Sequence, residues 1–301
     1  MDIRRRILAV LYQLFPFSLQ GDLRMESSEI IYDVSCVINF YGRIDLLRGI
    51  LYSLAGQDMP KKRFEVILVE DRGGTEEGKS IYEEFRRMLS VKYFPLDENH
   101  GKMGFSRNFG LSRAKGKYIL FLDDDTVILQ NNFLSEMVRE FEEKGCDALI
   151  PGGSASYSVV KGKYGYHEPF FPTNRCMAYR REVLAELGGF VSGIIGQEDV
   201  EFVIRYTAAG KKFSASERLH YLHPPLIVGN LGKPAAVGLS FSKLRPRYPF
   251  VLWFMVLCNG LRYLPLLLVP IKLKWRMQGR FSAGFLLGII HSLTGRRALY
   301  K

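Results

Sequence analysis

Apolar runs that stop abruptly at carboxylates narrow the folds open to this chain more than any other feature. The run from Tyr118 to Leu122 ends in Asp123, Asp124 and Asp125, and the run from Val66 to Val69 ends in Glu70 and Asp71. Uninterrupted apolar segments of this length suit buried strands covered on both faces. "DVSCVINFY", rich in β-branched and apolar residues, reads as another such strand over about residues 33–39, and "VKYFPL" and "CDALIPG" as two more. Between them the period changes. Leu46, Leu47, Ile50, Leu51 and Leu54 trace one helical face, Phe133, Met137 and Phe141 another, and "SIYEEFRRML" and "GFSRNFGLSRAKG" read as helices, the second closed by Gly116. Strand and helix in alternation predict an α/β fold with a Rossmann-like, mostly parallel sheet flanked by helices. Ligands of such sheets bind outside the carboxyl ends of the strands. Asp71 and Asp123–Asp125 are therefore expected to meet at one edge of one sheet.

Three adjacent carboxylates repel one another, so folding alone gives no reason to gather them. The glycine motifs that cradle phosphate are missing: no GxxxxGK[ST] occurs, and no GxGxxG stands between a strand and a helix. Hard oxygen ligands at a strand end suit Mg²⁺ or Mn²⁺, which keeps open positions for phosphate oxygens. An Asp-x-Asp pair thus predicts a divalent cation, and the cation a diphosphate.

Further along, residues 151–175 are Gly-, Ser- and Tyr-rich and predict an irregular excursion. "NRCMAYRREVLAELGGF" reads as a strand, a helix and a glycine stop. "QEDVEFVIRYTAAG" reads as a helix entered through Gln197, Glu198 and Asp199, carboxylates being favoured near a helix N-terminus. "LHYLHPP" puts His220 and His223 on a short extended segment.

In this order the motifs resemble the inverting nucleotide-sugar glycosyltransferases of the GT-A group, glycosyltransferase family 2. The resemblance covers roughly residues 33–225: "VSCVINFYGR", "ILVEDRGG", "NHGKMGFSRNFGLSRAKGKYILFLDDD", "NRCMAYRREVLAELGGF", "GQEDVEFVIRYTAAG" and His223. It implies that Asp71 binds the nucleotide base, with backbone around Asn39 lining the same pocket. Asp123 or its neighbour Asp124 would contact the ribose side, and Asp125 would ligate the metal. Arg107 would lie beside the donor phosphates or support Asp71. Asp199, paired with Glu198 in the catalytic motif, would deprotonate the acceptor hydroxyl, and His223 would complete the metal site. Two departures stand out: the second strand ends in Glu-Asp-Arg-Gly where the family more commonly has Asp-Asp-Gly-Ser, and Asp124 shifts the assignment within the triple by one position. Singly, each feature has a bland reading: a solvated acidic loop, a charged helix start, a structural histidine beside prolines, an arginine paired with any carboxylate. Their joint occurrence favours the site.

The charge is unevenly placed. Of 42 Lys and Arg and 31 Asp and Glu, the segment from Arg218 to Lys301 holds thirteen of the basic residues and none of the acidic ones. Its basic residues flank long apolar runs, an arrangement suited to anionic lipid head groups rather than nucleic acid. "RYPFVLWFMVLCNGLRYLPLLLVPIKLKWRMQGR" has enough residues between 249 and 271 to span a bilayer, but Arg262, Pro265, Pro270 and Asn259-Gly260 interrupt them. A spanning helix, a broken element lying in the interface, and a soluble helical extension packed on the catalytic domain or in a dimer interface all fit. At the other end, Ile3, Ile7, Leu11 and Leu14, with Arg4, Arg5 and Arg6 between the first two, predict a short amphipathic helix resting on a membrane or on the protein. The four cysteines show no paired spacing, which fits a reducing compartment.

The organisation expected is an N-terminal amphipathic basic segment over 1–30, a catalytic domain over 31–228 and a C-terminal membrane-associating helical region over 229–301. The expected activity is metal-dependent transfer of a sugar from a nucleoside-diphosphate donor to a hydroxyl of a lipid-linked or envelope-glycan acceptor, at the cytoplasmic face of a membrane. A catalytically inactive nucleotide-sugar-binding or scaffolding subunit is the alternative. A sugar-phosphate nucleotidyltransferase would want a glycine-rich basic loop after the first strand, where this chain has "NFYGRID".

Overall fold

The computed structural model describes residues 3–25, 29–155, 173–224, 226–269 and 271–295. Among them seven strands form one sheet: β1 (Tyr32–Phe40), β2 (Phe64–Glu70), β3 (Val91–Pro95), β4 (Gly116–Asp123), β5 (Ala148–Ala155), β6 (Cys176–Arg180) and β7 (Phe213–His223). They lie side by side in the order β3-β2-β1-β4-β6-β5-β7. All neighbours are parallel except β6, which runs antiparallel to both β4 and β5.

The strand period of two decides which residues face which layer. Cys36, Ile38 and Phe40 of β1 point into one apolar cluster with Val66, Leu68, Leu120 and Leu122. Helices α2 (Ile44–Ala55), α3 (Glu76–Phe85) and α5 (Phe133–Lys144) cover it through Leu47, Leu51, Ile81, Phe133, Met137 and Phe141. The intervening Val37, Ile67, Val69, Ile119 and Phe121 face the opposite cluster, under α4 (Met103–Arg113), α6 (Arg181–Glu186) and α7 (Glu198–Ala208). Burial on both faces is why the middles of these strands run apolar over consecutive residues rather than alternating.

Three expectations are extended by the structure. Residues 151–155 continue β5, and 156–172 of the expected excursion lie outside the described residues. The short extended segment holding His220 and His223 is the end of an eleven-residue strand. Helix α3 starts at Glu76, where the Thr75 hydroxyl accepts from the Gly78 N–H at 3.0 Å, rather than at Ser80.

A third apolar cluster joins the two ends of the chain. Leu8 of α1 (Ile3–Leu14) packs with Val203 and Ile204 of α7 and with Val237, Phe241, Leu252, Val256, Phe285 and Ile289 of α8 (Gly232–Ser242), α9 (Phe250–Leu261) and α10 (Leu273–Leu293). Helix α7 is therefore gripped on two sides, with Phe202 and Tyr206 against the sheet. Its Arg205 is fully buried. That guanidinium donates to Glu201 at 2.8 Å and to the carbonyls of Leu19, Leu187 and Gly189, and the Tyr248 hydroxyl donates to the same glutamate at 2.5 Å.

The apolar stretch Phe250–Leu267 is long and apolar enough to cross a membrane by length and composition, and only 17% of it is buried. The α-helix within it ends at Leu261 and gives way to a 3-10 turn over Leu264–Leu267. At about 1.5 Å per residue, a twelve-residue helix reaches about 18 Å, short of a hydrocarbon core about 30 Å thick.

Candidate active site

Strands β1 and β4 are neighbours although β2 and β3 lie between them in sequence, so the direction of the sheet order switches there. A crevice opens at such a point. Asn39 and Asp123 are partners in the register across it, and the acidic ends of β2 and β4 flank it, as expected from the sequence.

On the β2 side the pair Glu70-Asp71 divides its work. Glu70 is fully buried and accepts from the Thr75 N–H (3.0 Å), the Thr75 hydroxyl (2.8 Å) and the Tyr93 hydroxyl, closing the turn into α3. A Cβ at Gly78 would overlap the Glu70 carboxylate, which accounts for a glycine there. Asp71 turns the other way: its carboxylate accepts from the Gly101 N–H at 2.8 Å, with Arg72 and His100 each 3.7 Å away. Beside it, the Asn39 amide donates to the Ser106 hydroxyl at 2.6 Å, while its buried carbonyl oxygen has no hydrogen-bond partner.

On the β4 side the three aspartates separate. Asp123 Oδ1 accepts from Arg107 at 3.0 Å, and its Oδ2 is 3.6 Å from His223 Nε2. Asp125 Oδ1 is 3.0 Å from the same Nε2. Arg43 Nη1 donates to Asp124 Oδ1 at 3.0 Å and to Asp125 Oδ2 at 2.5 Å. His223 reaches the cluster because Val127 and Leu222 form an antiparallel bridge, with both N–H···O bonds at 2.8 Å, tying the turn after β4 to the end of β7.

One ligand atom each from Asp123, Asp125 and His223 lies within 4.8 Å of the others, a spacing able to hold a metal ion. The donor set fits Mn²⁺ or Mg²⁺: two carboxylates plus one imidazole whose Nδ1 is 2.6 Å from the Pro224 carbonyl. Donation from Nδ1 fixes the ring and aims the Nε2 lone pair at the aspartates, the usual support of a ligating histidine. Without a metal, burial disfavours the imidazolium, but bonds to Asp123 and Asp125 outweigh it and raise His223 to about 9. Burial would lift Asp123, yet His223 and Arg107 hold it well below the usual carboxylate range. Burial, helped by Asp125 and Asp123 and opposed by Arg43, pushes Asp124 up to about 7.

The Glu198-Asp199 pair sits at the N-terminus of α7, entered through Gly196 and Gln197, both at positive φ. Glu198 is 3% exposed and accepts from Arg107 Nε at 2.9 Å. Arg107, itself buried, thus bridges Glu198 to Asp123, and Asp71 is held by Gly101 instead. Asp199 is the partly exposed member of the pair. Its carboxylate accepts from the Asn174 N–H at 3.3 Å and the Val200 N–H at 2.8 Å. Burial raises both carboxyls above the ordinary range; for Glu198 the Asp199 charge adds to this, and Arg107 works against it in each.

Asn174, Arg175 and Arg43 were not singled out from the sequence. The first two precede β6, and because β6 runs antiparallel its start falls at the edge where the parallel strands end. The Arg175 carbonyl accepts from the Asp123 N–H (3.0 Å) and the Thr126 hydroxyl (2.6 Å), and its charge lowers both Asp123 and His223. A basic residue just before a short antiparallel strand is the only signal the sequence carries for it. His220 is exposed, and its backbone N–H donates to the Gln130 side chain at 2.8 Å.

The family model of Glycosyl transferase family 2 matches residues 35–194. Among curated proteins, the poly(ribitol-phosphate) beta-N-acetylglucosaminyltransferase TarS of Staphylococcus aureus is 34% identical over 116 residues, 38% of this chain and 20% of TarS. A UDP-Gal:alpha-D-GlcNAc-diphosphoundecaprenol beta-1,3-galactosyltransferase of Escherichia coli is 27% identical over 135 residues, 38% of this chain and 49% of its own length. This chain therefore spans between a fifth and a half of these relatives. Among solved structures, the mannosyltransferase PcManGT of Pyrobaculum calidifontis, in complex with GDP-Man and Mn²⁺, superposes with a TM-score of 0.62 at 15% identity, covering 98% of this chain and 97% of that one. At that identity the likeness shows a shared fold.

Proposed function

This chain belongs to glycosyl transferase family 2, and we propose that it transfers a sugar from a nucleoside-diphosphate donor to an acceptor hydroxyl, inverting the anomeric centre. The observation that carries the reading is the convergence of Asp71, Asp123, Asp125, His223 and the Glu198-Asp199 pair on one edge of the sheet, at its switch point.

In this reading Asp71 and Asn39 receive the base, the unpartnered Asn39 carbonyl oxygen being an acceptor in want of a donor. Asp123, or Asp124 beside it, takes the ribose side. Asp125, His223 and Asp123 hold Mn²⁺ or Mg²⁺, which when bound supplies Lewis-acid stabilisation of the leaving diphosphate. Arg107 keeps Asp123 ionised and in place, and Glu198 positions Arg107 rather than touching substrate. Asp199 accepts the proton of the attacking hydroxyl; its raised affinity for protons suits a general base.

The acceptor we propose is a lipid-linked or envelope glycan, reached by peripheral or monotopic attachment of residues 229–301 to the cytoplasmic face of a membrane. Support comes from exposed Phe250, Phe254, Leu267, Leu268, Val269 and Ile271, followed by exposed Lys272, Lys274 and Arg276. Apolar area beside basic groups suits an anionic lipid surface. Ile7, Val10 and Leu14 of α1 add exposed apolar area at the other end of the chain.

The first experiment is thermal stabilisation of the detergent-purified protein by UDP, GDP, dTDP and CDP with and without Mn²⁺. A metal-dependent shift with one nucleotide names the donor class, whereas no shift with any would refute the donor site. Asp125→Ala and Asp199→Asn should each abolish transfer, and Asp199→Asn should still bind the donor nucleotide. Full activity in Asp199→Asn would remove the base assignment. Donor binding by the wild type without transfer to any acceptor would favour a scaffolding subunit.

A further inference from the structure

Arg43 has no part in the assignments above, yet it makes the most direct contact with the cluster meant for a cation. It follows Gly42 in the turn from β1 to α2, and the two residues stand at φ 63° and 49° in succession. A left-handed conformation costs a side chain such as arginine about 1 kcal/mol or more, so the turn holds this side chain in place against a local preference. The guanidinium crosses to the end of β4 and sets one nitrogen against Asp124 (3.0 Å) and Asp125 (2.5 Å).

The two oxygens of Asp125 are thereby divided. Oδ1 faces His223 from the buried side, and Oδ2 faces Arg43, whose side chain is 48% exposed, from the solvent side. A cation that uses Oδ2 has to displace Arg43. Once displaced, a half-exposed guanidinium beside three carboxylates and a metal has one new anion within its neighbourhood, the diphosphate that the metal brings. Its planar fork matches phosphate oxygens in pairs.

We propose that Arg43 is a resident counter-cation of the acidic cluster, holding the metal's place on Asp125 and passing to the donor diphosphate when metal and donor bind. This rests on the metal site proposed above. It makes the empty cluster charge-compensated and couples metal entry to donor capture through one side chain.

The test compares wild type, Arg43→Gln, Arg43→Lys and Asp125→Ala, with melting curves checking that each is folded. Two probes are titrated at 0.1 M and 0.5 M NaCl: Mn²⁺ alone, and inorganic pyrophosphate at saturating Mn²⁺. Arg43→Gln should bind Mn²⁺ about tenfold more tightly and pyrophosphate about tenfold more weakly, a change of about 1.4 kcal/mol in each direction. Arg43→Lys, which keeps the charge without the fork, should fall between wild type and Arg43→Gln. Both effects should survive at high salt, because a contact pair is screened far less than charges more than a Debye length apart. Opposite effects that vanish at 0.5 M NaCl would reduce Arg43 to a general contribution to the field and overturn the proposal. Unchanged affinities in Arg43→Gln, with Mn²⁺ binding lost in Asp125→Ala, would overturn it while leaving the metal site standing. No Mn²⁺ binding by the wild type would bring down the metal site and the proposal together.

Discussion

His223 offers a prediction whose size follows from the structure. Its Nε2 lies 3.0 Å from Asp125 and 3.6 Å from Asp123, the ring is nearly buried, and the two carboxylates raise it from an ordinary 6.5 to about 9. A group held higher in the folded chain than in the unfolded one stabilises the fold below its unfolded value and loses that contribution as pH rises through its folded value. The gap corresponds to about 3 kcal/mol. Metal-free protein should therefore lose about 3 kcal/mol between pH 6.5 and 9.5, and His223→Gln should lack that part of the slope. On a chain of this size the difference in melting temperature comes to roughly 6 °C. The same proton opposes the metal, because an imidazolium has no lone pair to donate. Mn²⁺ affinity should rise by about tenfold per pH unit up to about 9, with close to one proton released per ion at pH 7. Melting curves across pH in EDTA measure the first effect, and titration calorimetry in buffers of different ionisation heat counts the proton. Parallel pH–stability curves for wild type and His223→Gln, or Mn²⁺ binding without proton release, would refute the reasoning.

Other outcomes follow from single contacts. Arg107→Met strands Glu198 and Asp123 without their shared cation and should cost about 3–5 kcal/mol in denaturant unfolding at pH 7.5. That cost should shrink toward pH 5, where Glu198, already raised, takes a proton; a loss that does not depend on pH would contradict the assigned pairing. Gly238→Ala puts a methyl against the Phe285 carbonyl where α8 crosses α10 and should cost about 1–3 kcal/mol, read from the shift in melting temperature. Replacing the exposed pair Leu268 and Ile271 together by Glu should release the protein from anionic vesicles in a flotation assay while leaving soluble-donor binding intact. Equal flotation of that variant and wild type would move the membrane contact elsewhere.

Much of the fold was legible because its determinants are local. Strands buried on both faces need a continuous apolar stretch, and Cys36–Ile38 of β1, Val66–Val69 of β2 and Tyr118–Leu122 of β4 supply one; amphipathic helices must repeat every three to four residues, and α2 and α5 do. From that alternation a mostly parallel sheet follows, together with the rule that ligands gather at the strand ends, so Asp71 and Asp123–Asp125 could be named in advance. Other features depended on partners far along the chain. The antiparallel course of β6, which brings Asn174 and Arg175 to the edge, is set by its neighbours β4 and β5, not by its five residues. Whether Glu70 or Asp71 faces the crevice was settled by Thr75 and Tyr93 capturing the first of them. The approach of Arg43 to Asp125 spans 82 positions and that of Arg107 to Glu198 spans 91. Carboxylates at strand ends announce that a cation is wanted, because repulsion without one would select against them. Which cation stands there is a property of three-dimensional proximity, since Coulombic attraction acts over distance in space and is indifferent to separation along the chain.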